Sequence, residues 1–332
     1  MTPRILVIGV GSIGERHVRC FQATGRASLA ICETNDALRE KIAGQYGIER
    51  AFADLDSAIA DDPQGAVIAT PAPLHIAMAS KLAEAGVHLL IEKPLSTGLE
   101  GIDELAKLVQ RQHVAAMVAY VWRAHPILRE MKAAIDSGQF GRPLHVLVQC
   151  GQHFPTFRPA YRTIYYRDRA LGGGAIQDAM THMLNAGEWL VGPIDRLTAD
   201  AAHLALEGVE VEDTVNVLTR QGGVLGCYSL NQHQAPNETS IMVVCQRGTC
   251  RLETHNNLWK SMAAPGDAWV EHRHGAYERD MMFVAQANAF LDVMEGRAEP
   301  LCSLQEGLQT LRCNLAALRA LTSNDWQLIP RE

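Results

Sequence analysis

Three residues have types and spacing suited to moving protons: Lys93, Asp178 and His182. Lys93 lies in LLIEKPLSTG, Leu89 to Gly98, where an apolar run ends in an acid, a base and a proline. A turn can use Pro94 but gains nothing from an amine. If the run is a parallel strand, Lys93 falls at its carboxyl end, where open α/β sheets bind ligands. A partly desolvated amine gives up its proton more readily and can exchange one with a hydroxyl.

Asp178 and His182 lie in ALGGGAIQDAMTHMLNAGEWLVG, where three glycines precede an apolar helix-like run. Asp178, His182 and Asn185 are spaced four and three apart, so an α-helix would put them on one face. Asp178 falls in the first turn, where the helix dipole favours its charge. From there it can hold or orient His182. An ordinary exposed polar stripe has the same spacing. A metal pair does too, but no third ligand is signposted, and we expect no metal.

Near the amino end, VIGVGSIGERH holds Gly9, Gly11 and Gly14 in G-x-G-x-x-G spacing, after a strand-like run and before a helix-like one. The first glycine permits the tight turn, the second lets backbone approach a pyrophosphate, and the third lets helix pack on strand. Ser12 and Ile13 open that helix, whose free N–H groups and dipole suit phosphate. Glu33 comes after the second strand about 20 residues on, where an acid accepts ribose hydroxyls. A carboxylate there repels a 2′-phosphate, and neither Thr34 nor Asn35 offsets it. The expected cofactor is NAD rather than NADP.

The elements that must position these groups alternate through the first third. RILVIGV, SLAIC, GAVIAT, VHLLI and VAAMVAY read as strands, separated by four segments of helical period. Helices are expected over Ser12 to about Thr24, Asn35 to Gln45, LHIAMASKLAEAG and LEGIDELAKLVQRQ. This is the pattern of a parallel sheet with helices on both faces. After Tyr120 comes the helix HPILREMKAAIDSG, then a series of strands without intervening helices, which predicts an antiparallel sheet. Helices return from about Arg279 to Glu295 and from Ser303 to Thr322. The boundary is placed near Val121, giving domains 1–121 and 122–332.

The 332 residues suffice for two domains, and 47% hydrophobic with 20% charged residues is ordinary for a globular chain. A net charge of -7 argues against general nucleic-acid binding. No apolar run is long enough to span a bilayer. The start MTPRILVIGVGSIG enters a strand without a basic-then-apolar leader. The eight cysteines form no C-x-x-C pair and match no zinc spacing, so a reducing cytoplasm is the expected setting.

With these motifs in order, the chain resembles the Gfo/Idh/MocA oxidoreductases, the group of glucose-fructose oxidoreductase and inositol dehydrogenase. The resemblance covers nearly the whole chain and rests on GVGSIGERH, ATPAPLH, AGVHLLIEKPLS, GGGAIQDAMTH and VEDTVNV. It implies an α/β fold: a Rossmann domain followed by an α/β domain with a large, mostly antiparallel sheet. It implies catalytic and substrate-holding roles for Lys93, Asp178 and His182. It implies that Thr70, Pro71, His75 and Glu92 line the cofactor, and that the open sheet face builds homodimers or homotetramers. Many sugar-oxidising members carry an acid where this chain has Asn185, which cannot hold charge.

On this reading His182 is the main acid/base, Lys93 is its partner or the proton carrier itself, and Asp178 anchors substrate. The segment FRPAYRTIYYRDR sets Arg158, Arg162, Arg167 and Arg169 among Tyr161, Tyr165 and Tyr166. Arginine forks bind carboxylate or phosphate, and tyrosine rings can stack on sugars. Arg158, Tyr161, Arg162 and Asn185 therefore join the expected substrate contacts, for an anionic or nucleotide-linked sugar. Salt bridges within the protein or at a subunit contact would explain the arginines equally well. The leading function is an NAD-dependent dehydrogenase of a secondary alcohol. A redox-neutral glycosidase-type enzyme that holds NAD, or a non-catalytic dinucleotide-binding regulator, are the alternatives.

Overall fold

The computed structural model describes residues 2–275, 278 and 280–330. The chain divides into two compact units, Met1–Ala124 with Glu278–Leu308, and His125–Tyr277 with Gln309–Glu332. The first crossing falls three residues past the expected boundary at Val121. The return of 278–308 to the first unit departs from the expected division, in which all residues after 121 form the second domain.

In the first unit, β1 (Arg4–Ile8), β2 (Ser28–Cys32), β3 (Arg50–Phe52), β4 (Gly65–Ile68), β5 (His88–Ile91) and β6 (Ala116–Val118) form one sheet. Its order is β3-β2-β1-β4-β5-β6, and every pairing is parallel. β1 after Arg4, and β4 throughout, are apolar because helices cover both faces. Those helices are α1 (Ser12–Thr24), α2 (Asp36–Tyr46), α3 (Leu55–Ala60), α4 (His75–Glu84) and α5 (Ile102–Gln112). Asn35 caps α2 by accepting Leu38 N–H, and left-handed Gly25 and Gly47 end α1 and α2. Val18, Phe21, Ile31, Val67 and Leu90 share a core with Phe290 and Leu291 of the returning segment.

In the second unit, α6 (Pro126–Asp136) precedes β7 (Pro143–Gly151) and α7 (Phe154–Phe157). A π-helical turn, Ile176–Met180, leads into α8 (Thr181–Val191). Then come β8 (Arg196–Ala202), β9 (Thr214–Gln221), β10 (Val224–Asn231), β11 (Glu238–Cys245), β12 (Gly248–Glu253), β13 (Leu258–Met262) and β14 (Val270–Arg273). Helix α9 (Met281–Met294) belongs to the first unit, and α10 (Leu304–Ser323) lies mostly in the second, ahead of β15 (Gln327–Leu328). The helix start expected at Arg279 lies outside the described residues.

These nine strands run β14-β13-β12-β11-β7-β10-β9-β8-β15. All pairings are antiparallel except β7 with β10, which is parallel. In β9, alternate residues are buried while Asn216, Leu218 and Arg220 face outward, so the sheet buries one face and leaves the other open. Among the described residues no helix is long and apolar enough to cross a membrane.

Candidate active site

In the first unit the carboxyl ends of β2, β1, β4 and β5 bring Glu33, Gly9, Thr70 and Lys93 to one edge of the sheet. Gly9 has φ +77° and donates its N–H to Cys32 O at 2.8 Å. A Cβ on Gly14 would lie 1.8 Å from the Gly9 carbonyl oxygen, so only glycine lets α1 approach the turn this closely. A Cβ on Gly11 would meet nothing within 4 Å. Gly11 and Ser12 are exposed, Ile13 is half-buried, and no side chain caps the amino end of α1. The loop is therefore open where a pyrophosphate needs backbone, and the helix end offers it uncapped N–H groups.

Glu33 fits the same ligand. Its Oε2 accepts Val10 N–H at 3.0 Å, while Oε1 accepts Asn35 N–H at 3.0 Å and the Thr34 hydroxyl at 3.4 Å. Two carboxylate oxygens offer about four acceptor sites, so capacity remains for a ribose hydroxyl. Arg39, which sequence reasoning missed, donates to Glu33 O at 2.7 Å and to Asp36 Oδ1 at 2.6 Å. It sits one turn into α2, beyond the two positions that directly succeed Glu33.

Of the other residues expected to line a cofactor, Thr70 is half-buried and Pro71 exposed. His75 and Glu92 correct the expectation. His75 is 1% exposed, with Nδ1 3.1 Å from Pro94 O and Nε2 2.8 Å from Thr70 O, so it ties two loops together beneath the surface. Burial pulls its pKa below the usual imidazole value. Glu92 is 5% exposed and committed internally: Oε1 stands 2.7 Å from His17 Nε2, and Oε2 accepts Lys93 N–H at 3.0 Å. Burial opposes its charge, but His17, the Lys93 charge and the Lys93 N–H hold the carboxyl below the usual carboxylate range. Both residues support the loops, because their polar atoms are already engaged in the interior. Lys93 itself is half-buried, and the Lys93–Pro94 peptide is cis.

In the second unit the three glycines are a packing device. Gly172 and Gly174 have φ +90° and +87°, and a Cβ on Gly173 would lie 2.3 Å from Tyr166 O. A Cβ on Gly174 would lie 2.5 Å from Glu212 Oε1. That oxygen accepts Ile176 N–H at 3.0 Å, while Oε2 accepts Arg169 Nη2 at 2.6 Å. Glu212, from VEDTVNV, thus caps the helix that carries the expected catalytic pair. Its neighbour Asp213 is fully buried and accepts the N–H groups of Leu204, Ala205 and Leu206 and the Thr214 hydroxyl.

Asp178 is buried in the π-helical turn and accepts the Tyr165 hydroxyl at 2.5 Å; His182, half-buried, comes next at the start of α8. Asn185 departs from the expected face. It is 0% exposed, and its amide donates to Thr310 Oγ1 in α10 at 3.0 Å. Thr310 in turn donates to Glu188 Oε2 at 2.7 Å, and burial pushes that carboxyl up. The π turn precedes His182 and Asn185 alike and shifts both against Asp178, and within α8 the Asn185 side chain is taken up by Thr310 of α10. Asn185 is packing, and its expected contact with substrate is corrected accordingly.

Tyr161 and Arg162 are corrected as well. Tyr161 is 1% exposed, lies in a cluster with Phe154, Tyr166, Leu206, Val209 and Val211, and donates to Glu207 O at 2.8 Å. Arg162 donates to Tyr161 Oη at 2.9 Å and pairs with Glu207 Oε2 at 3.4 Å. Both fasten the segment down. Arg158 is exposed, with its guanidinium 5.6 Å from the centre of the Phe154 ring.

The GFO/IDH/MocA family model, described as an oxidoreductase family with an NAD-binding Rossmann fold, matches residues 3–120. The model of the GFO/IDH/MocA C-terminal domain matches residues 128–251. A myo-inositol dehydrogenase of Streptomyces leeuwenhoekii is 27% identical over 336 residues, which cover 98% of this chain and 99% of its own. An inositol 2-dehydrogenase of Rhizobium meliloti is 26% identical, covering 97% of each. The structure of the WlbA dehydrogenase from Bordetella pertussis, in complex with NADH and UDP-GlcNAcA, superposes with a TM-score of 0.83 at 27% identity over all of both chains.

Proposed function

Because the chain belongs to the GFO/IDH/MocA family of NAD-binding oxidoreductases, we propose that it oxidises a secondary alcohol of a sugar or sugar derivative, with Lys93 and His182 sharing the acid–base work. The observation that carries this reading is the position of Lys93, on the same sheet edge as the Gly9–Gly14 loop and Glu33. Gly9, Gly11, Ser12, Ile13 and Gly14 hold the dinucleotide phosphates, and Glu33 holds the ribose. The bound nicotinamide supplies the hydride acceptor. Lys93 and His182 take the hydroxyl proton, and Asp178, steadied by Tyr165, anchors a neighbouring substrate group.

The substrate class we favour is anionic, because Arg158 presents an exposed guanidinium at the head of the segment that leads to the glycines. A UDP-linked sugar acid, the ligand named with the Bordetella dehydrogenase, has that chemistry. We place the protein in the cytoplasm, where eight free thiols are stable. Leu218 and Leu225 on the open sheet face fit assembly into a homo-oligomer.

The test is turnover with NAD against inositols, simple sugars, sugar acids and nucleotide sugars. Accumulation of reduced nicotinamide with at least one of them is expected. NAD binding without turnover on any would point to a regulator, and substrate consumption without reduced cofactor to a redox-neutral cycle.

A further inference from the structure

We propose that His17 is a positioning residue for the reaction, acting through Glu92 to fix Lys93; the inference rests on the acid–base role proposed for Lys93. His17 lies on α1, three residues past Gly14, and is 1% exposed. Its Nε2 meets Glu92 Oε1 at 2.7 Å, across 75 residues of sequence. The other oxygen of Glu92 accepts the backbone N–H of Lys93 at 3.0 Å, and Glu92 N donates to Ile68 O at the end of β4. A single buried carboxylate therefore joins the helix after the phosphate loop to the backbone from which the lysine side chain departs.

The surroundings make this pair a poor choice for stability alone. The His17 ring lies edge-on to Phe283 at 5.8 Å and tilted to Phe21 at 6.4 Å. In such apolar company, two well-packed hydrophobic side chains commonly serve as well as a buried pair or better. What hydrophobic residues cannot do is accept the Lys93 backbone N–H. We infer that the pair is kept for that geometry: an error of about 1 Å in placing a reacting group can lower turnover roughly 100-fold.

The decisive variant is His17→Leu with Glu92→Leu, which replaces the pair by apolar packing. We expect it to melt near the wild-type temperature and to bind NAD, monitored by fluorescence titration, within about 3-fold of wild type. We expect kcat to fall roughly 10- to 100-fold while KM stays within about 3-fold. His17→Gln keeps an N–H donor toward Glu92 and should recover most of kcat. Wild-type kcat in the double variant would overturn the proposal, as would a loss of kcat that only tracks lost folded protein. If the double variant does not fold, Glu92→Gln decides: unchanged kcat overturns the proposal, and a fall of about 10-fold with unchanged NAD affinity supports it. Lys93→Met runs alongside. If it keeps full kcat, the role of Lys93 itself fails; if it is inactive while the His17 and Glu92 variants are not, only the present inference fails.

Discussion

Glu212 Oε1 accepts the Ile176 N–H at 3.0 Å, so an acid 36 residues downstream caps the helix that carries Asp178 and His182. Gly174 leaves the room for it, since a Cβ there would stand 2.5 Å from that oxygen. Glu212→Ala should destabilise the protein by about 1–3 kcal/mol, because it orphans a buried N–H. It should lower kcat more than Glu212→Gln, which keeps an acceptor. Urea unfolding and steady-state kinetics on both variants check this; equal kcat in the two would argue against a positioning role.

The glycine loop makes a paired prediction. Gly14→Ala drives a methyl into the Gly9 carbonyl and should lower the melting temperature and weaken NAD binding together. Gly11→Ala meets no protein atom within 4 Å, so it should melt like wild type. Its methyl stands where the backbone must approach pyrophosphate, so NAD affinity should fall about 10-fold or more. Thermal melts and fluorescence titration separate the two variants.

Asp213 makes stability depend on pH in a stated direction. Burial opposes its charge, but the Leu206, Ala205 and Leu204 N–H groups and the Thr214 hydroxyl hold the carboxyl below its ordinary value of 3.8. A depressed native pKa stabilises fully above the unfolded value, and the contribution fades as pH falls through the native one. Asp213→Asn should therefore cost about 2–3 kcal/mol near neutrality. The gap to wild type should narrow below about pH 4. Denaturant unfolding across pH measures it; a gap that widens in acid would contradict the assignment.

Much of the first unit was legible because its strands are short apolar runs punctuated by glycine, and its helices carry caps and periodic faces. β3 escaped notice, since RAF is too short to show a pattern. In the second unit β7 to β12 were legible one by one, but LWKSM, VEHR and QL were not read as strands, and neither was the parallel pairing of β7 with β10, because nothing local encodes which strands meet. The same holds for α9, whose Phe290 and Leu291 look like any amphipathic helix until they are seen in the first core.

At the site, motif spacing singled out the glycine loop, Lys93, Asp178 and His182, the residues on which the proposed function rests. It misjudged Asn185 because the partner that takes up its amide, Thr310, lies 125 residues away in sequence. It misjudged Tyr161 because an aromatic among arginines reads as a sugar platform, whereas its ring fills a core and its hydroxyl meets Glu207 O. His17 was in view within GERH, but its meaning depends on Glu92, 75 residues away.

The central claim is that Lys93 and His182 carry the proton in an NAD-dependent oxidation. The measurement that reaches it most directly is kcat for Lys93→Met, His182→Ala and the double variant on an active substrate, with NAD affinity titrated separately. The account predicts a fall of roughly 100- to 10,000-fold for Lys93→Met. It also predicts NAD binding within about 3-fold of wild type, and a double variant scarcely worse than the poorer single one, as for groups that act as a unit. A Lys93→Met enzyme that retains wild-type kcat while binding NAD normally would contradict it.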